Sequence, residues 1–142
     1  MLLSNELLFL TAEKSALAEA SGGFAKQVLV LAMAEPNSAA NREFLVKVLA
    51  AAHLNLAQDT LLAEIPATEP RMLAKELQER QPKQVLVFGL SPAQLGLSIE
   101  IQAYQPFKFY GITWLFADPL STLEPDKTKK TQLWTALKQI FL

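Results

Sequence analysis

The chain contains no cysteine, which excludes disulfides, thiolate metal sites, iron-sulfur clusters and cysteine nucleophiles. Its one histidine, His53, cannot supply a multi-histidine metal centre, and its place at the end of a helical pattern suits a structural role near the helix dipole. Neither charge sign prevails. A formal net charge of -1 argues against a protein whose main task is coating nucleic acid, because that affinity is built from Lys and Arg neutralising phosphates. No apolar run approaches the roughly 20 residues of a membrane span. The start Met1-Leu2-Leu3-Ser4-Asn5-Glu6 lacks the positive charge of a signal peptide and carries an acid among its apolar residues, so the expected location is the cytoplasm. Internal repeats, low-complexity tracts and domain boundaries are also lacking.

What is present is a chain of 142 residues, half of them hydrophobic, enough to bury a core as one domain over residues 1–142. The stretch Gln84-Val85-Leu86-Val87-Phe88-Gly89 is apolar and β-branched between the breaker Gln81-Pro82-Lys83 and the loop Leu90-Ser91-Pro92. It predicts a short strand buried on both faces. A similar run fills residues 27–33, and helical patterns separate the two. Strands of this kind joined through helices imply an α/β fold, a three-layer α/β/α sandwich around a central, mostly parallel sheet of about four strands.

Residues 2–20 carry Leu2, Leu3, Leu7, Leu8, Phe9 and Leu10 in an amphipathic pattern, which suits either a helix packing on its own domain or an N-terminal helical arm that binds a partner. Ser21-Gly22-Gly23 reads as a flexible break. After the first strand, Ala34-Glu35-Pro36-Asn37-Ser38 turns the chain, with Asn37 or Ser38 as helix cap. The helix that follows places Phe44, Leu45, Val48, Leu49 and Ala52 on one face and Asn41, Arg42 and Lys47 elsewhere. Residues 60–65 form the next strand, and Pro70 opens a helix through Met72, Leu73 and Leu77 that ends before Pro82. Ser91-Pro92 leads one or two helical turns closed by Gly96. Between residues 97 and 106, Ile99, Ile101 and Ala103 alternate as in an edge strand. Aromatic-rich runs flank Gly111, and residues 112–117 form the last strand. Ser121 with Glu124 matches a capping box, and Pro125 suits a first helical turn. The final helix puts Leu133, Trp134, Leu137, Ile140 and Phe141 on one stripe.

In an open parallel sheet, ligands meet the loops that leave the carboxyl ends of the strands. Those loops hold the pocket candidates Glu35, Pro36 and Asn37, then Ser91, then Asp118 and Pro119. Glu35 and Asp118 could pair as acid and base. Capping and turn roles explain the same residues without chemistry. Lys127, Lys129 and Lys130 are candidate phosphate contacts, or a solvated helix face.

The order of these motifs over residues 27–141 resembles the uracil-DNA glycosylase fold superfamily. Residues 28–36 are similar to its first strand and glycine-rich loop, residues 81–89 to its third strand, and Ala117-Asp118-Pro119-Leu120 to its His-Pro-Ser loop. Catalysis in that family implies a cation at the departing base, whereas this chain has Asp118 in that place. Its first loop reads Ala34-Glu35-Pro36-Asn37 instead of a flexible glycine run, and Ala63-Glu64 stands where a base-reading asparagine is expected. The resemblance therefore implies a degenerate, non-catalytic member with no cofactor. Length, the leading segment and the helix around Trp134 resemble the psi-subunit family of the bacterial DNA polymerase III clamp loader. That resemblance implies a protein-interaction adaptor in DNA replication, with a chi-like or clamp-loader subunit as partner and Leu2, Leu3, Leu7, Leu8 and Phe9 as anchors. The alternative is a DNA-binding or divergent glycosylase-like enzyme using Glu35 and Asp118.

Overall fold

Five short runs rich in Val, Leu, Ile and aromatic residues pair into a single sheet in the computed structural model, which describes residues 21–66 and 73–142. The strands are β1 (Val28–Met33), β2 (Thr60–Ile65), β3 (Gln84–Phe88), β4 (Phe107–Phe109) and β5 (Ile112–Ala117). Their order is β2-β1-β3-β5-β4. The first four in that order run parallel, and β4 pairs antiparallel with β5 at the edge. The chain is therefore a mixed α/β protein with a mostly parallel sheet, one strand larger than the sequence predicts. The candidate anchors Leu2, Leu3, Leu7, Leu8 and Phe9, and the residues Pro70 and Met72, lie outside the described residues.

The absence of polar alternation in the central strands has a direct cause, since both of their faces are covered. Val30, Leu86, Phe88 and Leu115 join one apolar cluster, while Leu29, Leu31, Val85, Val87 and Trp114 join another. The first cluster takes Leu45 and Leu49 from α1 (Ser38–Ala51), Leu120 and Leu123 from α4 (Leu120–Leu123), and Leu133 and Leu137 from α5 (Lys127–Phe141). The second takes Leu77 from α3 (Ala74–Arg80), with Leu73 just before that helix, Leu95 from the 3-10 turn Ala93–Leu95, and Leu97. Each fully buried Leu or Val contributes about 1.5–3 kcal/mol relative to exposure, so these clusters dominate the stability of the sheet. Trp114 is wholly buried, stacks in parallel with Phe116 at 6.1 Å between centroids, and donates its indole N–H to the Phe109 carbonyl at 3.0 Å.

The structure departs from the sequence reading at several junctions. Residues 97–106 contain no strand; Ile99 and Ile101 pack on the second cluster from an irregular segment. Ser21-Gly22-Gly23 is a strap, since Ser21 exchanges two backbone hydrogen bonds with Leu62 on the outer edge of β2. Glycine is required there, because a Cβ on Gly22 would lie 2.1 Å from the Thr60 carbonyl oxygen. Asn37 occupies the N-cap of α1 without a side-chain bond. Asn41, placed off the apolar face by periodicity, is buried. The capping box expected at Ser121 and Glu124 does not form: Ser121 lies inside α4, Glu124 ends it, and Asp126 caps α5 by accepting from the Lys129 N–H at 3.0 Å. His53 follows α1 in left-handed backbone with φ 63°, exposed, its carbonyl accepting from Lys26 Nζ at 3.1 Å. Asn55 caps the single-turn α2 (Leu56–Asp59) by accepting from the Gln58 N–H at 2.9 Å.

Candidate functional site

The carboxyl ends of β1, β3 and β5 meet at the switch point, where chain connections depart to opposite faces of the sheet and a crevice would ordinarily open. Among the described residues that crevice is filled at Gly89. Gly89, with φ 82°, approaches its neighbours so nearly that a Cβ would lie 3.0 Å from Pro119 Cγ and 3.1 Å from Met33 Cβ. The hollow beside it, lined by Met33, Ser38, Asn41 and Leu120 among others, holds 10 Å³, about the space of one water.

The candidate residues around this corner are held in two separate networks. In the first, the half-buried Glu35 accepts from Asn41 Nδ2 at 2.9 Å, from the Ser121 N–H at 3.4 Å, and closely from the Ser121 hydroxyl. One carboxylate thus ties the loop after β1 to α1 and to the first turn of α4. Its charge there suits the unsatisfied N–H groups of a helix start.

In the second network, Asp118 accepts from the Tyr104 hydroxyl at 2.5 Å, and its N–H lies 3.3 Å from the same oxygen. Lys129 Nζ stands 3.4 Å from the Asp118 carboxylate. Burial, and then the bond to Asp118, push the Tyr104 hydroxyl up from 10.0 to about 12, so Tyr104 is a proton donor across the neutral range. Asp118 therefore sits between the Tyr104 hydroxyl and the Lys129 ammonium, its charge matched by the lysine.

The remaining candidates do not join these networks. Ser91 is exposed, and its N–H and hydroxyl both bond Gln94 Oε1 within its own turn, at 2.9 and 3.2 Å. Pro36 and Asn37 are exposed, and Pro119 packs on Gly89. Of the three lysines, Lys129 is engaged by Asp118, while Lys127 and Lys130 are exposed in the first turn of α5. Among the described residues no buried side-chain polar atom lacks a hydrogen-bond partner, and no group of three His, Cys, Asp or Glu is placed to hold a metal ion.

Sequence reasoning missed Tyr104 and Asn41, because neither lies in a recognisable motif; Tyr104 acts through Asp118, 14 residues on, and Asn41 through Glu35, six residues back across the turn into α1. It also missed a cleft at the opposite end of the sheet. That cleft encloses 660 Å³ between the end of α3 and the β4–β5 hairpin, where Leu77, Gln81, Lys83, Lys108, Tyr110 and Thr113 are among its walls. The dipeptide Tyr110-Gly111 was the available signal, because a two-residue hairpin with φ of 58° and 70° ordinarily carries Asn-Gly.

No family model and no curated protein sequence matches this chain.

Proposed function

We propose that this chain is a non-enzymatic interaction subunit, a psi-like adaptor of a bacterial DNA polymerase III clamp-loader complex. Its scaffold would be a degenerate uracil-DNA glycosylase-like three-layer α/β/α sandwich, working in the cytoplasm. The observation that carries this reading is the packing at the switch point, where Pro119 and Met33 are seated on Gly89. Glu35 and Asp118 are each occupied by structural partners, which favours a scaffold over a site for base excision. The strand order and the coverage of both sheet faces are compatible with the proposed fold. The partner would be a chi-like or clamp-loader subunit, contacted through Leu2, Leu3, Leu7, Leu8 and Phe9 in helix-in-groove fashion.

The test mixes the tagged full chain with purified clamp-loader and chi subunits and follows co-elution. A complex is expected, and Leu3→Asp with Leu7→Asp should abolish it. Failure to bind either subunit removes the psi reading. Release of uracil or hypoxanthine from oligonucleotides, lost in Asp118→Ala, would replace the adaptor with an enzyme.

A further inference from the structure

We infer that the cleft between α3 and the β4–β5 hairpin is a binding site for a nucleotide, its base laid on Tyr110 and its phosphate held by Lys83 and Lys108. The inference is independent of the adaptor reading, since the cleft lies at the amino ends of β3 and β5, away from Glu35 and Asp118.

Its 660 Å³ falls inside the range of about 300–1,000 Å³ typical of small-molecule sites. The charge on its walls is of one sign. Lys83 and Lys108 both line it, both are exposed, and neither forms an ion pair among the described residues. No carboxylate lines the cleft among the described residues, in a chain whose net charge is -1. The carboxyl end of α3 also points here, but its partial charge of roughly half a unit is small beside two ammonium groups. Such a wall favours an anion.

Tyr110 identifies the other half of the ligand. Tyr110 is 74 % exposed, and its ring meets Phe109 edge-on at 4.6 Å, which fixes the ring while leaving surface free. It occupies left-handed backbone with φ 58°, as the first residue of the two-residue turn, while Gln81, with φ 48°, ends α3 with its N–H on the Leu77 carbonyl. An exposed tyrosine beside lysines is the arrangement that stacks a base and holds its phosphate. Gln78, Gln84 and Thr113 complete the lining with amides and a hydroxyl, which can both donate to and accept from a base edge.

The nucleotide could be free or a unit of a single strand, and the two sources are separable. The uniformly nitrogen-labelled full chain is titrated with adenosine monophosphate, adenosine, inorganic phosphate and a short deoxyadenylate strand while amide shifts are followed. The monophosphate should move the amides of Lys83, Gln84, Lys108, Tyr110 and Gly111, and should bind roughly tenfold tighter than adenosine or phosphate alone. Lys83→Gln with Lys108→Gln, and separately Tyr110→Gly, should each weaken it roughly tenfold. Tyr110→Gly suits the left-handed turn, so its loss of binding cannot be put down to misfolding. A strand that binds the same amides more tightly than the monophosphate names single-stranded nucleic acid as the source; equal affinity names the free nucleotide. The inference is overturned if neither probe moves these amides up to about 10 mM. It is likewise overturned if binding survives either variant, or if adenosine or phosphate binds as tightly as the monophosphate.

Discussion

Replacing Gly89 with alanine tests whether the switch point is closed, because the new methyl would enter the space now taken by Pro119 and Met33. Two costs add. The backbone at φ 82° disfavours any residue with a Cβ by about 1–2 kcal/mol. The Cβ would also stand 3.0 and 3.1 Å from Pro119 Cγ and Cα, and 3.1 Å from Met33 Cβ. Pro119 cannot yield easily, because its carbonyl accepts from the N–H groups of Thr122 and Leu123 at 3.0 Å and its ring is rigid. Overpacking of this kind costs about 1–3 kcal/mol, giving a loss of about 2–5 kcal/mol in all. Gly111→Ala is the matched control, since φ is 70° there but nothing lies within 4 Å of the added Cβ. It should lose only the backbone share. Urea unfolding followed by tryptophan fluorescence reads both variants. If Gly89→Ala costs no more than Gly111→Ala, the corner has room, and the argument for a filled crevice fails.

Three further outcomes follow from the networks and the strap. Glu35→Ala should destabilise the protein by about 2 kcal/mol, because it strands the amide of the buried Asn41 and the first turn of α4; urea midpoints measure this. Tyr104 holds its proton more tightly folded than unfolded, so its contribution to stability is complete below pH 10 and is lost as the pH rises toward 12. An absorbance titration should show one tyrosinate transition near 12, and Tyr104→Phe should remove both that transition and the matching loss of stability. Gly22→Ala should drive the strap off β2, because its Cβ would meet a backbone oxygen at 2.1 Å; faster hydrogen exchange at the Leu62 amide, with central β3 amides unchanged, is the expected record.

The parallel core was legible because Val85, Leu86 and Val87, like Val28, Leu29 and Val30, show the continuous apolarity that only burial on both faces explains. The 3-10 turn closed by Gly96 and the stop of α3 before Pro82 were legible from local backbone chemistry. What escaped depended on side-chain pairings that no local pattern encodes. Nothing near Asn41 announces that Glu35 draws it inward, and nothing near Tyr104 announces Asp118. The alternation of Ile99 and Ile101 is real, but it anchors a loop to the second cluster without a neighbouring strand to pair with. Ser121 and Asp126 both carry helix-capping chemistry five residues apart. Only the end of α4 at Glu124 and the bond from Lys129 to Asp126 decide which begins the long helix. At the candidate site, Glu35 and Asp118 were found by residue type, while their roles as structural acceptors required the fold.

The strap at Ser21 also bears on how copies of this protein behave when crowded together. A naked margin on β2 would invite another molecule to continue the ladder, one chain templating the next into a fibre. Ser21 already takes the hydrogen-bonding positions of Leu62, and the opposite margin is only three residues long, with the ammonium-bearing Lys108 at its middle. Growth by strand addition is thus blunted at Leu62 on one flank and along β4 on the other, among the described residues.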